Sequence, residues 1–277
     1  MTDLNVVTWG HGDPVVMVHG SGPSWGEETW AKQRPLSDVY RLVLIDRRGF
    51  GDSPPAVGED FEVDAEDIAE VLGRRAHLVG HSYGGLGCLL AAARRPEAVA
   101  SLTVIEPPAF NLTRGTDASD GLTARLRAVF ENHSTTRSER FWIGFLEAFG
   151  LEPTDTGFDS WAAMTSQLSA TDLVGIETTR RERVPFWEPV IPVEDLASAP
   201  FPKLVVSGDW TNVGESARRI AGRAFNEICD ALERVIGAER AVIAGAAHGP
   251  QLLRPEAFNS RLRSFLDSAS RRAPGDS

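Results

Sequence analysis

Apolar residues in this chain gather into short runs separated by helix-patterned segments. Pro14-Val-Val-Met-Val-His-Gly20, Tyr40-Arg-Leu-Val-Leu-Ile-Asp46, His77-Leu78-Val79, Ser101-Leu-Thr-Val-Ile-Glu106, Lys203-Leu-Val-Val-Ser207 and Arg240-Ala-Val-Ile-Ala244 are each nearly continuous in apolar side chains. A strand with one wet face alternates, so continuous runs predict strands covered on both faces. Residues 4–10 alternate loosely and predict an edge strand. Helical spacing fills the intervals. It predicts one helix from Asp64 to Leu72, closed by Gly73, and an alanine-rich one through Leu86 and Ala93. It predicts a long helix from about Glu215 to Val235 and a last one from about Pro255 to Leu266. Alternation of this kind predicts the α/β class.

From Ala109 to about Pro200 the strand signals vanish. Leu122, Leu126 and Val129-Phe130 share one helical face. Phe141-Trp142, Phe145-Leu146 and Phe149 share another, with Gly150 as C-cap. Trp161, Met164 and Leu168 predict a third helix, and Pro185, Pro189, Pro192 and Pro200 break the chain back toward the main domain. The expected organisation is a core of residues 1–108 and 201–267, a helical cap inserted at 109–200, and a disordered tail at 268–277. Most of the aromatic stripe should pack on the core, and a minority should line a pocket between cap and core.

The length of 277 residues and 42% hydrophobic content suit one large α/β domain with an insertion. A net charge of -11 argues against nucleic acid or an anionic membrane as partner. No apolar run approaches a membrane span, and Met1-Thr2-Asp3-Leu4 lacks the features of a signal peptide, so the expected compartment is the cytoplasm. Cys88 and Cys229 fall on separate predicted helices and read as two buried free thiols. No Cys/His spacing fits a metal site, and neither a metal nor another cofactor is expected.

Gly80-His81-Ser82-Tyr83-Gly84 fits the G-x-S-x-G nucleophile elbow. A strand must turn sharply into a helix there, with Ser82 strained at the tip. Side chains two residues to either side would collide, and both positions are glycine. In His19-Gly20-Ser21-Gly22-Pro23, glycine lets the backbone approach a ligand, and N–H groups there could hold an oxyanion. His19 is expected to brace that loop by hydrogen bonds. Arg47-Arg48-Gly49-Phe50-Gly51-Asp52-Ser53 lacks the phosphate-loop pattern and lies beside Asp46, so it reads as a structural turn.

The His19-Gly20 turn, the Asp46-Arg-Arg-Gly49 turn, the Ser82 elbow and a histidine after the last strand come in the order seen in α/β-hydrolases. The chain resembles that family from about residue 14 to 267. The resemblance implies a mostly parallel, twisted sheet with helices on both faces and an active site at the strands' C-terminal ends. It implies Ser82 as nucleophile and the backbone N–H groups of Tyr83 and Ser21 as oxyanion donors. His248, on a glycine-flanked loop after the last strand, is the base; His11, His77 and His133 sit in edge, strand and cap positions. His81 neighbours Ser82, but a strained elbow points adjacent side chains apart. Two carboxylates compete as the acid. The family usually places it after the strand that resumes past the cap, where Asp209 stands early and Thr211 holds the usual position. Other members place it at the end of the strand before the cap, where Glu106 precedes two prolines. Glu106 is favoured and Asp209 is the alternative. The expected function is that of a serine hydrolase cleaving a small-molecule ester, lactone or related acyl compound. A non-hydrolytic enzyme (a lyase, a C–C bond hydrolase or a cofactor-free tailoring enzyme) or a ligand-binding receptor on the same scaffold are the alternatives. Dehalogenase and epoxide-hydrolase chemistry would need a carboxylate where Ser82 stands.

Overall fold

Parallel pairing accounts for the apolar runs. The computed structural model describes residues 3–55, 61–131, 136–182 and 187–272. Its strands are β1 (Val6–Trp9), β2 (Asp13–Val18), β3 (Tyr40–Ile45), β4 (Ala76–His81), β5 (Val99–Ile105), β6 (Lys203–Gly208) and β7 (Glu239–Ile243). They form one sheet in the order β1-β3-β2-β4-β5-β6-β7. Only β1 runs antiparallel, against β3. Successive side chains on a strand point to opposite faces. Along β2, Val16 and Val18 therefore join one core with Ile68, Leu89 and Ile228, while Val15 and Met17 join another with Trp30, Phe258 and Leu262. Both faces of β2 are dry, so no polar alternation survives there, whereas β7, at the sheet edge, is not covered on both faces and leaves Val242 exposed.

The long helices of the main domain supply those cores. Labelled in chain order, α1 spans Phe61–Val71 and α2 spans Tyr83–Arg94. Between β5 and β6 the chain leaves the sheet and builds α3 (Asp117–Glu131), α4 (Ser138–Ala148) and α5 (Ala170–Arg180), with shorter turns among them. The sheet domain resumes with α6 (Arg223–Ile236) and α7 (Pro255–Arg272). Buried Ala224, Phe225, Ile228, Leu232 and Ile236 recur at helical spacing along α6, and Gly237 ends it with φ 64. Truncating a fully buried residue such as Ile228 to alanine should cost about 2–5 kcal/mol.

The structure differs from the sequence expectations in three places. The segment Glu215–Ile236 is not one regular helix, because Arg218–Gly222 forms a π-helical turn ahead of α6. Beyond the short helix Trp161–Thr165, the inserted segment holds α5, which apolar periodicity does not announce. The chain past Leu266 is not a disordered tail as far as Arg272: α7 continues, Ala269 is buried, and Ser270 reaches Asp13. Residues 273–277, His133 and Pro185 lie outside the described residues. Cys88 and Cys229 are free and buried. Among the described residues no helix is long and apolar enough to cross a membrane.

The parallel strands present their C-terminal ends at one edge of the sheet. His19–Gly22 follows β2, Arg47 follows β3, Ser82 follows β4, Glu106 follows β5, Gly208–Trp210 closes β6 and His248 follows β7. Residues 19 to 248 in sequence thereby meet in one place.

Candidate active site

Ser82 sits at the turn between β4 and α2 with φ 51 and ψ −125, a conformation side chains rarely adopt. The turn is tight because it has no room for other side chains. A Cβ on Gly80 would lie 2.5 Å from the Cys88 sulfur. One on Gly84 would lie 2.2 Å from the His19 carbonyl oxygen, and one on Gly20 would lie 2.8 Å from the Ser82 Cβ. The Ser82 N–H donates to the Ile105 carbonyl at 2.9 Å, so β5 fixes the elbow from the side.

His248 lies between the serine and an acid. Its Nε2 is 2.9 Å from Ser82 Oγ, and its Nδ1 is 2.7 Å from Glu106 Oε2. An ionised carboxylate only accepts, which puts the histidine proton on Nδ1 and leaves Nε2 to accept from the serine hydroxyl. Glu106 is fully buried and has φ 43. Its other oxygen, Oε1, accepts from the Gly208 N–H and from the Trp210 indole N–H, both at 2.9 Å. A buried carboxylate needs that many partners.

Asp209 is tied elsewhere. Its Oδ1 accepts from the Thr211 N–H at 3.1 Å, the Thr211 hydroxyl at 2.9 Å and the Gly245 N–H at 2.9 Å. Burial pushes its carboxyl up, and these donors outweigh burial and hold it below its ordinary range. The structure therefore brings Glu106 to His248, and gives Asp209 a hydrogen-bonded place joining two loops.

The loop after β2 approaches the elbow from the other side. Tyr83 is the first residue of α2, where the N–H points out of the helix N-terminus. Ser21 lies one residue past Gly20, and its hydroxyl donates to both Glu182 oxygens at 2.9 Å. His19 braces this loop. Its Nδ1 is 2.8 Å from the Gly20 carbonyl oxygen, and its Nε2 accepts from the Arg47 N–H at 3.0 Å. Burial, then the charge of Arg47, holds its pKa well below the ordinary histidine value. Arg47 is buried and reaches Asp64 at 2.7 Å, Glu182 at 3.0 Å and the Gly20 carbonyl at 3.2 Å. The glycine-rich turn after β3 is thus structural.

Residues that motif reading passed over also belong to the site. Glu182 and Thr179, at the end of α5, hold the loop after β2; the Thr179 hydroxyl accepts from the Gly22 N–H at 2.9 Å. The signal for α5 was its capping box, in which Ser169 Oγ accepts from the Asp172 N–H at 3.1 Å and Asp172 accepts from the Ser169 N–H at 2.7 Å. His81 reaches the His248 carbonyl oxygen at 2.6 Å. Aromatic rings wall the site. Phe225 lies 4.4 Å from the His248 ring and Phe149 lies 5.6 Å from it, while the edge of Trp142 faces Gly22.

The chain belongs to the alpha/beta hydrolase family, whose model matches residues 15–261. It is an enzyme of the hydrolase type. A pimeloyl-[acyl-carrier protein] methyl ester esterase of Aeromonas hydrophila is 26% identical over 269 residues, covering 95% of this chain and 99% of that protein. The protein of the same name from Aeromonas salmonicida is 39% identical over 110 residues, but that match covers 39% of this chain and only 43% of the relative's length. Among solved structures, an esterase of Thermogutta terrifontis superposes with a TM-score of 0.68 at 22% identity, covering 96% of this chain and 93% of that one. At that identity the likeness is one of fold.

Proposed function

We propose that the protein is a serine hydrolase of a carboxylic ester, lactone or related acyl compound, with Ser82 as nucleophile, His248 as base and Glu106 as acid. The observation that carries this reading is the unbroken hydrogen-bonded chain from Ser82 Oγ through the His248 ring to Glu106. His248 Nε2 takes the serine proton as Oγ attacks the acyl carbon. The tetrahedral oxyanion is held by the N–H groups of Tyr83 and Ser21. The imidazolium, stabilised by Glu106, gives its proton to the leaving alcohol, and the acyl group remains on Ser82. A water deprotonated by His248 then attacks that ester and frees the acid. In this reading the helical insertion is the cap. Its rings, with Phe225, favour an apolar acyl group, and relatives named as methyl ester esterases agree with small-alcohol release. We place the enzyme in the cytoplasm, which suits its two unpaired, buried thiols.

A fluorophosphonate probe and a short p-nitrophenyl ester test the reading together. We expect covalent labelling at Ser82, turnover of the ester, and loss of both in a folded Ser82→Ala protein. Near-normal turnover by that variant would sink the nucleophile assignment. Labelling without turnover of any acyl ester or lactone would move the assignment to the non-hydrolytic alternatives.

A further inference from the structure

Trp210 is a costly residue to accommodate where it stands. It is fully buried and has φ 58, in the left-handed region that disfavours a bulky side chain. The neighbouring helix approaches it closely. A Cβ on Gly222 would meet Cγ, Cβ and Cδ2 of Trp210 at 2.8–3.1 Å, and Gly222 closes the π-helical turn Arg218–Gly222. Such turns occur often at functional sites. The Trp210 ring stacks on Phe225 at 6.1 Å with planes 8° apart, and Phe225 in turn lies 4.4 Å from the His248 ring. The polar end of the indole faces the acid, donating to Glu106 Oε1 at 2.9 Å.

We infer that Trp210 is a positioning residue of the reaction: its indole N–H holds Glu106 so that only Oε2 faces His248 Nδ1. This rests on the reading of Glu106 as the acid. A carboxylate that turns freely would present either oxygen to His248 and would shift its hydrogen bond with each turn. Two donors on Oε1, from Gly208 and Trp210, remove that freedom. Glu106 stands at the end of β5 and not in the loop after β6, and here the end of β6 and the loop after it each supply a donor to the acid.

The indole N–H also shares the carboxylate's charge. Without it, the carboxylate should stabilise the imidazolium more. Among the described residues, His81 lies beside His248 and Cys229 beside Glu106. Burial holds His81 down to about 3 and pushes the Cys229 thiol up, so neither changes charge near neutral pH.

Trp210→Phe keeps an aromatic ring and deletes the donor. It should be measured alone, beside Glu106→Gln and in the double variant, with folding checked by circular dichroism and melting. A hydrogen bond to a charge predicts a loss of about tenfold in kcat/KM with KM little changed. It also predicts an acid limb of the pH profile displaced to higher pH. In the Glu106→Gln background Trp210→Phe should cost much less, because the charge it serves is gone. The same fold-loss in both backgrounds with an unmoved acid limb would reduce Trp210 to packing and overturn the inference. Wild-type turnover by Glu106→Gln would instead overturn the reading of Glu106 itself. If Trp210→Phe does not fold, Gly222→Ala displaces the indole without touching Glu106 and should reproduce the kinetic signature. Wild-type kinetics in a folded Gly222→Ala protein whose Trp210 has moved would also overturn the inference.

Discussion

The Nε2 of His81 lies 2.6 Å from the backbone carbonyl oxygen of His248. A carbonyl only accepts, so Nε2 carries a proton. Burial, then the neighbouring His248 ring, lowers the pKa of His81 to about 3, which keeps its ring neutral. The residue before the nucleophile thus holds the loop that carries the base.

We expect His81→Phe, which keeps a ring and loses the donor, to lower kcat/KM about tenfold, the lower range for stranding a buried acceptor. His81→Gln restores an N–H of similar reach and should recover most of the loss. Initial rates on one p-nitrophenyl ester, with melting curves as a control, decide the matter. An unimpaired His81→Phe enzyme would show that the His248 loop holds itself.

Amide substitution separates the two carboxylates. In Glu106→Gln the carbonyl oxygen would stay with the Gly208 and Trp210 donors, leaving the NH2 against His248 Nδ1. That contact favours the wrong tautomer, with Nε2 protonated and unable to take the serine proton. The corresponding change in a serine protease costs about 10⁴ in kcat, so a loss of at least about 10²-fold is a conservative expectation. Asp209→Asn keeps an acceptor for Thr211 and Gly245 and should lose little activity, with any deficit visible in melting. A nearly dead, folded Asp209→Asn beside an active Glu106→Gln would reverse the assignment.

Which of these two acids meets His248 was the least legible point in the sequence. Both follow a strand that ends at the same edge, and the choice depends on the direction of one side chain. The φ of 43 at Glu106 turns it toward β6, and nothing in the residue order announces that. Strands β2 to β6 were legible because burial on both faces turns each into an apolar run; β7 reads as such a run too, although it is an edge strand with Val242 exposed. The elbow was legible because its geometry admits only glycine at positions 80 and 84. Helix α5 was not, because the side it buries includes Gly175, Thr178 and Thr179, small and polar residues that meet loop backbone. The end of α7 was misread for a related reason. Ser268, Ser270 and two arginines look solvated, yet Ser270 is fastened to Asp13 and lies 3.2 Å from His77 Nε2.

His77 should make the fold sensitive to acid. It is buried, with Nδ1 2.7 Å from Ser101 Oγ, and desolvation lowers its pKa to about 4. The unfolded chain takes up this proton near about pH 6.5, the native chain only near 4, so stability is lost as pH falls through that window. The full shift is worth up to about 3 kcal/mol, at about 1.4 kcal/mol per unit. His77→Gln should be less stable than wild type at neutral pH, yet lose less on acidification. Urea unfolding at about pH 7.5 and about pH 4.5 would show this. Parallel losses in the two proteins would contradict it.

Glu182 should act in the opposite direction. Its side chain is 1% exposed, and burial pushes its carboxyl up to about 7 despite the Arg47 charge and the hydrogen bonds from Arg47 and Ser21. A raised carboxyl means that the native chain holds a proton the unfolded chain has already released above about pH 4.5. The stabilisation is full below that pH and is lost as pH rises through about 7. Its size is again up to about 3 kcal/mol. In the wild type this fall is masked, because His77 and His81 are depressed and contribute a rise over an overlapping range. The difference between proteins isolates it. Glu182→Gln stays neutral and can still accept from Arg47 and Ser21. Relative to wild type it should gain stability between about pH 5 and about pH 8, and that gain should be absent in a control variant of exposed Glu215. A pH-independent difference would mean that Glu182 is ionised throughout, as one arm of a permanent ion pair with Arg47.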